Sequence, residues 1–157
     1  MVVREFACAV LIDTSGRFLL QQRDDVPGIV YPGRISLFGG HREPGETFLQ
    51  CVVREIHEET SYFFPPERFE RLARWSHRGP DGPNTIFEEE FFVLNDVPAE
   101  RLAITEGALL ICKESQLESF KSKLTPSARF ALTTYFEKNS PTGFGNIDLQ
   151  RETLKHK

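Results

Sequence analysis

Between Gly40 and Tyr62 the chain reads GHREPGETFLQCVVREIHEETSY, setting five acidic residues (Glu43, Glu46, Glu55, Glu58 and Glu59) around one short helix and the loop that leads into it. An α-helix turns by about 100° per residue, so Glu55, Glu58 and Glu59 share one side while Leu49, Val52, Val53 and Ile56 form an apolar stripe on another. That stripe predicts a core-packed helix from about Phe48 to Thr60. Thr47, with Gln50 three residues on, makes a capping-box start, and Gly39, Gly40, Pro44 and Gly45 predict a loop of special backbone geometry before it. Like charges at the spacing of Glu55 and Glu59 repel by roughly 0.2–0.5 kcal/mol when exposed, and by more as water is excluded. A bound cation reverses that sign. A Glu-rich face that only solvates is the simpler alternative, but a Gly-rich loop delivering Glu46 into the same helix weighs against it. Oxygen donors at this density suit hard cations such as Mg²⁺, Mn²⁺ or Ca²⁺; neither a Cys/His spacing for zinc nor the EF-hand loop pattern accompanies them.

The remaining sequence fits one compact domain. The 157 residues are 39% hydrophobic and include 14 Phe, enough to bury a sizeable core. Val2 to Ile12 and Arg17 to Arg23 read as a hairpin around the turn 13–16, followed by a loop over 24–34 that carries Pro27, Gly28, Pro32 and Gly33. Ile35 to Phe38 reads as a short strand, as do Arg68 to His77, Thr85 to Leu94 and Leu109 to Cys112. A helical turn is expected near Ser115 to Phe120. Pro126 opens a last helix to about Lys138, with Ala128, Leu132, Tyr135 and Phe136 at helical spacing. The domain is thus expected over residues 1–138, with 139–157 a polar, mobile tail.

Charge and cysteine usage narrow the setting. A net charge of −4 leaves no diffuse basic surface for a nucleic acid polymer, so a phosphate-bearing ligand would have its charge met locally. Cys8, Cys51 and Cys112 are odd in number, far apart and flanked by apolar residues, which favours reduced thiols in a cytoplasmic protein. No apolar run reaches the ~20 residues of a membrane span, and no secretory leader is evident at the N-terminus. A homodimer is common at this size, but no exposed stripe argues for one.

The segment 40–62 resembles the Nudix box, Gx5Ex7REUxEExGU with U aliphatic: Gly40, Glu46, Arg54, Glu55, Ile56, Glu58 and Glu59 stand at matching spacing. Ser61 replaces the usual Gly and Tyr62 the aliphatic residue. Gly at the first position suits a left-handed helix end, so Ser61 there implies a cost of roughly 1 kcal/mol. The resemblance implies an α/β (α+β) fold of the α/β/α sandwich type with a mixed central sheet. It also implies Mg²⁺- or Mn²⁺-dependent hydrolysis of a diphosphate linkage in a nucleoside diphosphate derivative, with a nucleoside triphosphate the default small-molecule substrate. A nucleotide sugar or another such derivative, an isomerase on the same scaffold, and a non-catalytic nucleotide-binding regulator are the alternatives.

Site residues follow from the matched positions. Glu55 and Glu59 are expected as principal metal ligands, with Glu58 a further ligand or a water-activating base, and the Gly40 carbonyl as another donor. The resemblance gives Arg54 the task of orienting a box glutamate and tying loop to helix; an ordinary i,i+4 pair with Glu58 is the plainer alternative. Glu46 and Gly39 are expected to support the site. Some family members carry a late glutamate before the last strand, which singles out Glu106, with Glu88, Glu89 and Glu90 competing. Strand alternation sets Glu89 on the face of Phe87 and Phe91, opposite Glu88 and Glu90. Tyr31, Phe38, Trp75 and His77 are candidates to stack on a base, and Arg23, Arg34 and Arg78 to meet phosphate; burial in the core or plain surface exposure are the respective alternatives.

Overall fold

The apolar N-terminal run forms the strand around which everything else is arranged. The computed structural model describes residues 1–139; Asn139, the first residue of the expected tail over 139–157, ends the last helix, and 140–157 lie outside the described residues. Strand β1 (Val2–Asp13) runs antiparallel to β2 (Phe18–Gln22) through its C-terminal half and antiparallel to β4 (Phe38–His41) through its N-terminal half. Along its other edge it runs parallel to β6 (Thr85–Val97), which pairs in turn with the antiparallel β5 (Glu70–Arg78). Strands β3 (Ile35–Ser36) and β7 (Ala108–Cys112) both join β2, completing one mixed sheet.

Helices cover both faces. Helix α1 (Phe48–Thr60) packs on one side with Ala7, Ala9, Leu11, Leu19 and Phe38. Helix α3 (Pro126–Asn139), preceded by the short α2 (Leu117–Phe120), packs on the other with Val10, Ile12, Phe18, Leu20 and Phe91. The strict alternation of β1 and β2 between two apolar clusters is why these strands read as continuous hydrophobic runs. The result is the mixed α/β/α sandwich that the sequence implies.

Two expectations are corrected. Gly39 and Gly40 belong to a strand rather than a loop, because they pair in register with Cys8 and Ala7. Glycine weakens a strand, so the pair reads as a breaker in sequence; here close approach demands it. A Cβ on Gly39 would lie 2.2 Å from the Ala7 carbonyl oxygen, and one on Gly40 would lie 2.5 Å from the Glu55 carboxyl carbon. Likewise, the expected strand Ile35–Phe38 divides at Leu37, since β3 bonds to β2 and β4 to β1.

Helix α1 has the predicted bounds and its capping box: the Thr47 hydroxyl accepts from the Gln50 N–H while the Gln50 side chain accepts from the Thr47 N–H. Ser61 closes it in the left-handed region at φ 59°, its N–H donating to the His57 carbonyl. The buried face is rotated from the predicted stripe. Cys51, Val52, Ile56, Glu59 and Thr60 are buried, whereas Leu49 and Val53 are only partly so. The helix therefore turns Glu59 inward.

Ile56 is wholly buried between α1 and the sheet. Truncation to Ala leaves a cavity there, so Ile56→Ala is expected to lower the unfolding free energy by about 2–5 kcal/mol, with Leu49→Ala costing clearly less. Urea denaturation of the two variants side by side checks the rotated face.

Candidate active site

The three helix carboxylates occupy three different environments. Glu59 is 3% exposed; its Oε1 accepts from the Gly39 N–H at 2.9 Å and its Oε2 from the Gln21 amide at 3.1 Å. Burial pushes its pKa up to about 8, opposed by the Gly39 N–H and reinforced by the charges of Glu55 and Glu106. The Glu55 carboxyl lies against Gly40 and is also raised, by burial first, with Arg54 acting in the opposite sense. Glu58 is the outermost, its side chain 58% exposed.

Arg54 ties these groups to the loop before the helix. Its Nε and Nη2 donate to the two oxygens of Glu46 at 2.8 Å each, and Nη2 also reaches the His41 carbonyl at 3.0 Å. Its Nη1 donates to Glu55 at 2.8 Å and to Glu58 at 3.3 Å. The i,i+4 pair with Glu58 thus exists, but at 3.3 Å it is the longest of these five bonds to oxygen. The forked pair with Glu46 fixes both planes at once, which a single exposed contact cannot do. Glu46 also accepts from the Glu43 N–H, and Arg54 holds its pKa down at about 2.

Gly39, Gly40 and Glu55 border a cleft of about 400 Å³ that opens on the α3 side of the sheet. Glu106 stands on its rim. Phe6, Phe87 and Tyr31 line the same cleft, together with Arg4 and Arg23. Arg23 is aimed by a 2.7 Å bond from its Nε to the Val30 carbonyl. Glu89 also lines the cleft, 3% exposed, accepting from Ser127 Oγ at 2.7 Å and lying 2.6 Å from His77 Nε2. As alternation predicts, Glu88 and Glu90 face the other way, toward Arg74 and Arg71.

Several expected ligand contacts lie elsewhere. Phe38 is completely buried in the α1-side core, so it has no face to offer a base. Trp75 is stacked between His77 and Phe130, at ring centroid distances of 3.7 and 4.6 Å, and is not part of the cleft lining. The Arg34 guanidinium donates to the carbonyls of Ser122, Lys123 and Leu124, holding the long loop to the segment before α3. Arg78 is exposed at the end of β5. Gln21, Ser127 and Cys8 were not singled out from sequence. The signal for Gln21 was a polar residue inside the apolar run Phe18–Gln22, where alternation sends it to the same face as Leu19.

Cys51, the only cysteine inside the box, is buried in the core, and burial followed by the nearby Glu46 pushes its thiol up to about 12. A buried thiol so shifted is poorly placed to act as a nucleophile, so Cys51 lends an isomerase reading no support.

The donor set suits a hard cation in chemistry though not in its present spacing. Among the described residues no three His, Cys, Asp or Glu side chains converge closely enough to hold an ion. Arg54 engages one oxygen of Glu55 and one of Glu58, so the second oxygen of each carboxylate is the one a cation would take. In favour of a cation stands the burial of Glu59 beside two further acids, an arrangement that a positive charge stabilises directly.

A NUDIX domain model matches residues 3–128. No curated protein sequence matches the chain closely. Among solved structures it is similar to the MutT protein of Methanosarcina mazei Go1, at a TM-score of 0.73 and 17% identity over 88% of this chain and 96% of that one. It is also similar to a NUDIX hydrolase from Nitrosomonas europaea, at 0.66 and 18% over 86% and 89% of the two chains. The ORF135 protein of E. coli follows at 0.65 and 20% over 90% and 94%. At these identities the structures speak for the fold alone. Fold and family model together define a pyrophosphohydrolase of phosphoric anhydrides. The chain belongs to the Nudix family, whose hydrolases act on nucleoside diphosphate derivatives and generally use divalent metal ions.

The depressed pKa of Glu46 carries a stability consequence. Its folded value lies below its ordinary 4.5, so its contribution is complete above about pH 4.5 and is lost as pH falls toward 2. Glu46→Gln is expected to destabilise the protein by about 1–3 kcal/mol at pH 7, the range for hydrogen bonds to charged groups. Denaturation curves at pH 7 and pH 3 should show the gap between variant and wild type narrowing in acid.

Proposed function

We propose that the chain hydrolyses a nucleoside triphosphate to the nucleoside monophosphate and pyrophosphate, with Mg²⁺ or Mn²⁺ held by Glu55, Glu58, Glu59 and the Gly40 carbonyl. The observation that carries the reading is that Glu55, Gly40 and Glu106 line one cleft together with the aromatic Phe6, Tyr31 and Phe87 and the basic Arg4 and Arg23. A cleft of about 400 Å³ has the volume of an ordinary small-ligand site.

When bound, the cation supplies neutralisation of phosphate oxygens and Lewis acidity at the scissile anhydride. The chain's own residues do the rest. Glu55 and Glu59 are the principal ligands and Glu58, the most exposed, is the adjustable one. Arg54 orients Glu55 and, through Glu46, keeps the preceding loop against the helix. Glu106 is the proton acceptor: water adds to the α- or β-phosphorus, one of its protons passes to the Glu106 carboxylate, and the α–β bridging P–O bond breaks to release nucleoside monophosphate and pyrophosphate. Arg23 and Arg4 meet phosphate charge from the cleft wall, while Tyr31, Phe6 and Phe87 offer apolar surface to a base. Glu89 is the less suited acceptor, since His77 and Ser127 already engage its carboxylate.

A reducing cytoplasmic setting accords with three free cysteines. Among the described residues no helix is long and apolar enough to cross a membrane.

A panel of nucleoside triphosphates and nucleotide sugars, assayed with Mg²⁺ and product identification, tests the proposal. Pyrophosphate and monophosphate are the expected products, and Glu59→Gln is expected to lower kcat by at least ~10²-fold, as when a metal-dependent step loses a ligand. Unchanged turnover in that variant would reject the ligand assignment; preference for a nucleotide sugar would reject the substrate class.

A further inference from the structure

The loop bearing Glu106 is fastened to the C-terminus of α1 at several points. The Ala103 N–H donates to the Thr60 carbonyl and the Thr105 N–H to the Glu59 carbonyl, both at 2.9 Å. Thr105 Oγ1 donates to the Glu58 carbonyl and Ser61 Oγ to the Ala103 carbonyl, again at 2.9 Å. None of these bonds reaches residue 106. That residue is held from the opposite side by Gln21, whose amide donates to the Glu106 carbonyl at 2.9 Å and to Glu59 Oε2 at 3.1 Å. Gln21 is itself 3% exposed and anchored in β2, between Ser36 of β3 and Leu109 of β7.

The next residue explains how so close an approach is possible. Gly107 has φ +69°, and a Cβ there would lie 2.5 Å from the Gln22 carbonyl oxygen and 3.1 Å from Gln21 Cγ. The loop thus presses its backbone onto β2 at the point where the Gln21 amide bridges it to the buried helix carboxylate. One amide in the sheet thus ties the Glu59 carboxylate to the Glu106 backbone, on the side away from the bonds that fasten the loop to α1.

We infer that Gln21 is a positioning residue for hydrolysis, holding the Glu106 loop and the Glu59 carboxylate in one fixed relation. The inference rests on the proposed role of Glu106 as proton acceptor, and goes beyond it by naming what aims that residue. Displacement of an acid or base by about 1 Å can cost ~10²-fold in rate, so an amide that fixes this distance affects turnover more than substrate binding.

The test is a double-mutant cycle on the full chain with Mg²⁺ and the best nucleotide of the panel. Gln21→Met keeps the volume and removes the donor; it is expected to lower kcat by roughly 10- to 100-fold with KM changed by less than about threefold. Glu106→Gln alone is expected to lower kcat by about 10²- to 10⁴-fold. In the Glu106→Gln background, Gln21→Met should cost clearly less than in the wild type, because one of the two groups it holds is already disabled while Glu59 still works. Gly107→Ala, which lifts the loop from the other side, should give the same coupled loss and carries the test if Gln21→Met does not fold. Equal cost of Gln21→Met in both backgrounds, or a loss confined to KM, overturns the inference while leaving Glu106 in place. An unaffected Glu106→Gln enzyme overturns the acceptor role itself, and the inference with it.

Discussion

The close approach of α1 to the glycine strand is the constraint on which the site depends. Gly40 has no side chain because the Glu55 carboxyl occupies that volume, and Gly39 has none because the Ala7 carbonyl and the Cys8 backbone do. At that contact the Gly39 N–H meets Glu59 directly. Glu55, carried by a helix on one face of the sheet, thereby reaches the cleft, while Glu59 stays buried against the strand. A bulkier strand would hold α1 off and leave the carboxylates beneath the sheet.

Burial of that acidic group has an electrostatic cost that the fold offsets only in part. Arg54 engages the carboxylates of Glu46, Glu55 and Glu58, while among the described residues the donors to Glu59 are neutral, the Gly39 N–H and the Gln21 amide. Glu46 is consequently depressed and Glu59 raised, although both sit within one short segment. The contrast marks a division of labour between a structural ion pair and an acid short of positive charge. A divalent cation meets that shortage with an oxygen-only donor set.

The cleft joins this acidic corner to a more apolar wall. Register places β1 between β4 and β6, so Phe6 stands beside His41 on one flank and Glu89 on the other. Aromatic contacts continue outward from there, through Phe87 and His77 to Trp75 and Phe130. Trp75 serves this packing rather than a ligand. The long loop over 24–34, pinned by Arg34, closes the cleft beside Tyr31 and Arg23.

Local rules sufficed for what is local. The capping box at Thr47, the bounds of α1, the left-handed Ser61 and the outward and inward faces of Glu88, Glu89 and Glu90 all follow from periodicity and backbone preference. So does the box spacing, which identified the acidic residues before any fold was known. What sequence could not reveal are distances between segments far apart in the chain. Gly39 and Gly40 read as a loop because the Ala7 carbonyl and Glu55 that exclude a side chain are remote from them. Phe38 and Trp75 read as equal candidates for stacking because burial is a property of the assembled layers. Gln21 read as nothing in particular, since its two partners lie 38 and 85 residues away. Helix and strand patterns are set by neighbours a few residues apart, whereas the meeting of Gln21, Glu59 and Glu106 required the sheet to close first.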